Sequence, residues 1–191
     1  MSAAYPAEAA RLPVPRWRWS RQWALTGALV AAAAASIGQS VLFGSRDDAS
    51  REVASAANEA EAVAAFLETI EPLLQEGGQV VAIGLKPGVT DVSDERYPQD
   101  VLVTMATGWM ASLERIRGEI AATDPPRALA DAHRLYVGAL DGYVNTAAAV
   151  TAAASATDAE RRAQLTELAA VLGVAADDLY DRATPRSDSR V

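Results

Sequence analysis

"TDPPRALADAHRLYVGALDGYVNTAAAV", residues 123–150, carries its apolar side chains on a helical step. Leu129, Ala132, Tyr136, Leu140, Tyr143, Ala147 and Val150 recur at intervals of three and four, which puts them on one face of a helix. Asp124 is a good N-cap and Pro125 suits the first helical position, where no N–H is needed, so the spacing predicts a helix starting there. Gly138 and Gly142 each weaken that helix by about 1 kcal/mol relative to alanine, which predicts close approach of a neighbouring helix or a local bend.

Three further stretches show the same periodicity. Upstream, Val53, Ala56, Ala60, Val63, Leu67, Ile70 and Leu74 form a heptad seam, and Pro72 is expected to end or kink that helix near Glu71. A second helix is expected from about Pro98 to Ala122, with Leu102, Met105, Trp109, Leu113, Ile116 and Ile120 on one face and an Arg115–Glu119 pair on the other. A last one opens at "TDAE", where Thr157 and Glu160 have capping-box spacing, and is expected to bury Leu165, Leu168, Leu172 and Leu179. Residues 76–97, "EGGQVVAIGLKPGVTDVSDERY", fit no helix; a hairpin around a Lys86-Pro87-Gly88 turn, or a functional connection, is the expectation there.

Ahead of these lies "WRWSRQWALTGALVAAAAASIGQSVLFGSRDD", residues 17–48. Its 23 uncharged residues from Trp23 to Ser45 would make a helix of about 34 Å, against about 30 Å of bilayer hydrocarbon. Arg16, Trp17, Arg18, Trp19, Arg21 and Trp23 gather where basic and amphipathic side chains favour the membrane interface. The charge splits in the same sense: the chain is −8 overall, but residues 1–45 are +3 and residues 46–191 are −11. That asymmetry favours a cytoplasmic N-terminus and an extracytoplasmic body at the cell membrane. Two rival readings are a signal peptide cleaved near Ala33 to Ala35, which would leave a secreted bundle, and a buried soluble helix.

The expected fold is therefore all-α. A single N-terminal transmembrane helix at 23–45 follows a short basic tail without ordered structure at 1–22. An antiparallel four-helix bundle occupies 46–183, with a small hairpin between its first two helices, and a tail without ordered structure closes the chain at 184–191. The first bundle helix could continue the transmembrane one as a stalk.

Chemistry is harder to find. The chain has no cysteine and one histidine, His133, so zinc sites and Glu-x-x-His di-metal sites cannot be assembled, and no Gly-x-Ser-x-Gly elbow is present. "GLKPG" lacks the Gly-Lys-Ser/Thr of a phosphate loop. The reading is of a non-enzyme with no cofactor and no metal, and the acidic balance argues against nucleic acid. Membrane lipid and a protein or envelope component are the expected partners, and the heptad seam allows a homodimer. Two functions compete: an interaction, scaffold or accessory domain, and a bundle that binds a small ligand inside. Trp109, His133, Tyr136 and Lys86 are the candidate contacts, the first three as an interior lining.

Overall fold

The structure, a computed structural model, describes residues 46–184, with side chains from Ala54 onward. Every regular element in that range is helical. They are α1 (Arg46–Gln79), a π turn (Val80–Leu85), α2 (Lys86–Ser93), α3 (Gln99–Ala121), a 3-10 turn (Arg127–Leu129), α4 (Ala130–Ser155) and α5 (Ala159–Ala183). The expected membrane segment, 23–45, and most of the closing tail lie outside the described residues. Among the described residues no helix is long and apolar enough to cross a membrane.

Helices α3, α4 and α5 follow the apolar periodicity. On α3, Leu102, Leu113, Ile116 and Ile120 are buried as expected, joined by Ala106, while Trp109 is half-buried. The chain alternates direction: Gly77 faces Ile116, Ile120 meets His133, and Gly142 meets Ala176. The α4–α5 pair is the most extensive contact. A methyl group on Gly142 would fall 2.8 Å from the Cβ of Ala176, and Gly173 faces Thr146 one turn further along. Small residues at heptad spacing on α5, Ala169, Ala176 and Ala183, are buried there. The glycines of "GALDG" thus serve close packing, most tightly at Gly142.

Four expectations are corrected. Pro72 does not end α1, which runs on past it to Gln79; both Pro72 and Glu68, whose carbonyl the ring deprives of a donor, are exposed and open to water. No hairpin forms at 76–97, and no strand occurs among the described residues; the helix instead continues through a π turn into α2. The helix expected from Asp124 begins only at Ala130, after a 3-10 turn from Arg127, because Asp124 and Pro125 each precede a proline and are steered away from helical angles. The cap of α5 is Asp158 rather than Thr157: its carboxylate accepts the Arg161 N–H at 2.8 Å, worth about 1 kcal/mol.

The π turn has two visible causes. Pro87 crowds the carbonyl four residues before it, inside the turn, and a wider winding relieves that; the Lys86 N–H bonds the Val81 carbonyl, five residues back. The second cause is Trp109, whose indole lies across Gly84 and Gly88 where side chains would stand 2.5 and 2.4 Å from it. Such a turn holds one residue more than an α turn, rotating the downstream helix by about 100°. The buried stripe of α1 packs on α3, whereas α2 packs mainly on α5 and α4. The surplus residue therefore re-aims the helix towards the fourth member of the bundle.

At its other end α1 outruns its partners. Val63 is its first buried side chain among those described, and residues 54–62 are exposed or half-buried. Over residues 54–62 alone this overhang is about 14 Å long.

Candidate functional site

The four residues singled out from sequence fall in three places. His133 and Tyr136 are together, one helical turn apart on α4. The His133 Nε2 lies 2.9 Å from the Ile120 carbonyl, which can only accept, so this nitrogen carries the proton and donates. The same carbonyl receives the Thr123 hydroxyl at 2.6 Å, so His133 helps to close the C-terminus of α3. Its ring meets Phe66 edge-on at 5.8 Å, and Tyr136 meets Tyr180 edge-on at 5.6 Å. The space between His133, Tyr136, Phe66 and Leu74 is about 20 Å³, room for no more than a water.

Trp109 is not part of that group. It sits 11 residues before Ile120, about 16 Å along α3, and is occupied by the Gly84 and Gly88 contact. The interior lining of Trp109, His133 and Tyr136 is thus two separate packing clusters.

Lys86 stands at a third place, in the seam between α2 and α5. Its Nζ lies 2.8 Å from Asp177 Oδ2, and the other oxygen, Oδ1, accepts the Tyr143 hydroxyl at 2.6 Å. One carboxylate so joins α2, α4 and α5. Burial first, then the hydrogen bond to Asp177, pushes the Tyr143 hydroxyl well above the usual phenol range. Beside it opens a recess of about 170 Å³ between Leu85, Val89, Gly173 and Val174. It continues past Val89 and Ala170 into a shallower groove of about 590 Å³, closed at the far end by Arg162 donating to Glu95 at 2.9 Å. Arg162 also donates to the Ala156 carbonyl at 3.0 Å, which ties the α4–α5 connection down.

On the outer side of α5, next to this groove, three apolar side chains face solvent: Leu168 at 48%, Val171 at 60% and Val174 at 70% exposure. This corrects the expectation that Leu168 is core. The heptad seam of α5 that enters the core is Leu165, Ala169, Leu172, Ala176, Leu179 and Ala183. Leu168, Val171 and Val174 lie off it, a pattern that was present in the sequence.

Among the described residues no cluster of three or more His, Asp or Glu side chains could hold a metal. Arg134, the neighbour of His133, is exposed and pairs with Asp131 on its own helix. No family model matches the chain, and no curated protein or solved structure matches it.

Proposed function

We propose that the chain is a membrane-tethered helical domain that acts as a scaffold or accessory subunit through the outer face of α5. One observation carries the reading: three of the five large apolar side chains exposed among the described residues fall within seven residues of one helix. Scattered exposed apolar residues are ordinary on a protein surface, whereas a contiguous patch marks a contact. The overhang of α1 supports the tether, since it is a helical spacer leading from the bundle towards the apolar segment at 23–45. The orientation expected from the arginines places the bundle outside the membrane and residues 1–22 inside.

The test places a photo-crosslinking amino acid at Val171 in the full chain in native membranes, with Ala148, exposed on α4, as the control position. A crosslinked product from Val171 and none from Ala148, both in the membrane fraction, is the expected result. Equal yields at the two positions, or recovery of the chain in the aqueous fraction without detergent, overturns the proposal.

A further inference from the structure

The outer face of α5 matches itself when a copy is laid on it in the opposite direction. Counting from Val171 as centre, Gln164 stands opposite Asp178, and Glu160 stands opposite Arg182. All four are exposed. At 100° per residue Glu160, Gln164, Val171, Asp178 and Arg182 fall within about 40° of arc, so they form one line along the helix. Leu168 and Val174 flank Val171 on either side of that line.

We infer that α5 pairs with α5 of a second copy of this chain, antiparallel, about a two-fold axis beside Val171. This identifies the partner for the contact face proposed above and rests on that reading. Val171 meets its own counterpart at the centre, with Leu168 and Val174 of both copies closing around it. Outside this apolar middle, Glu160 of each copy faces Arg182 of the other, and Gln164 donates to the opposing Asp178. Every polar contact so occurs twice, as a two-fold interface requires. Parallel pairing has the opposite electrostatics. It would set Glu160 against Glu160 and Asp178 against Asp178, and like charges at that distance repel. Within its own chain Arg182 reaches Asp178 only at 3.7 Å, between two exposed side chains, which leaves the guanidinium available. One helix on one helix is a small interface, so the dimer is reversible and depends on concentration. The two α1 overhangs leave the dimer at opposite ends, so two copies tethered to one membrane pair with their bundle axes along its surface.

Light scattering during gel filtration of the full chain in mild detergent, over a dilution series, reads the association. The wild type is expected to shift from dimer to monomer on dilution. Val171→Asp is expected to remove the dimer while leaving the helical content unchanged, because the residue is 60% exposed. Glu160→Arg and Arg182→Glu are each expected to weaken association about tenfold, and the double variant to regain most of it. Arg182→Glu also loses the contact to Asp178 within the chain, so the deciding comparison is that variant alone against the double. A monomer at every concentration, or a double variant no better than Arg182→Glu alone, overturns the antiparallel pair. A crosslink from Val171 to a different protein would overturn this inference and leave the contact face standing; no crosslink at all removes both.

Discussion

Replacing Gly88 by alanine sets two effects of known size against each other. In a helix the exchange gains about 1 kcal/mol, since glycine loses more backbone freedom on folding. Here the new methyl would lie 2.4 Å from Cζ3 and 2.6 Å from Cη2 of Trp109, distances that require the ring to move. The ring already rests on both Gly84 and Gly88, so it must lift away to clear the new methyl. Overpacking of this kind costs about 1–3 kcal/mol. Displacement of a rigid indole belongs near the top of that range, so Gly88→Ala is expected to destabilise by about 1–2 kcal/mol net. In a Trp109→Ala background the obstacle is gone and the same exchange should stabilise by about 1 kcal/mol. The coupling is then about 2–3 kcal/mol, well above the scatter expected of independent sites. Gly118→Ala is the control, because Gly118 is exposed and nothing lies within 4 Å of its would-be Cβ. Urea unfolding of the full chain reads all four, and thermal midpoints should move by about 2–4 °C per kcal/mol. If Gly88→Ala stabilises the wild type as Gly118→Ala does, or still destabilises without Trp109, the glycine–indole contact is not what holds the π turn in register.

Asp177→Leu should cost about 1–3 kcal/mol, because the buried Tyr143 hydroxyl loses its acceptor; Asp177→Asn, which keeps one, should cost less than Asp177→Leu in the same urea series. Lys86→Ala should change stability by less than about 1 kcal/mol, as its ion pair to Asp177 is largely exposed. Burial raises the hydroxyls of Tyr136, Tyr143 and Tyr180 above the phenol range, so the folded chain holds these protons where the unfolded chain releases them. Their contribution is complete below about pH 10 and is lost as pH rises beyond it, so the urea midpoint should fall above that pH, and the tyrosinate absorbance of these three residues should appear together with unfolding. Tyrosinate that forms fully in the folded chain near pH 10 would contradict the burial argument.

Periodicity alone located α3, α4 and α5, because each buries one stripe and the stripe is written at a spacing of three and four. It failed where the chain breaks that code for a tertiary reason. Gly77, Gly78, Gly84, Pro87 and Gly88 look like the residues of a turn, and in isolation they would destabilise a helix. Gly84 and Gly88 are accommodated in the helix because Trp109, more than 20 residues further on, occupies the space that side chains there would fill, while Gly77 packs on Ile116 and Leu140. Leu168 was misassigned for a different reason: α5 is apolar on two sides, and spacing does not say which side meets the core. The Lys86–Asp177–Tyr143 junction spans 91 residues of chain, so it had no local signature. His133 was recognisable as a residue at the edge of the α4 seam, and its bond to the end of α3 is the ordinary role of a partly buried imidazole.

The tight α4–α5 hairpin also bears on the order in which the chain folds. Its two helices are joined by only Ala156, Thr157 and Asp158, and where they pack most tightly the facing residues are Gly142, Ala176, Thr146 and Gly173, which have few rotamers to lose. Contacts this close in sequence close quickly, whereas α2 reaches α5 only across 91 residues. The hairpin is thus the natural nucleus, made from a part of the chain that follows α1, α2 and α3. Until it has formed, the long first helix has only α3 to lean on, and the π turn has no fourth helix to aim at.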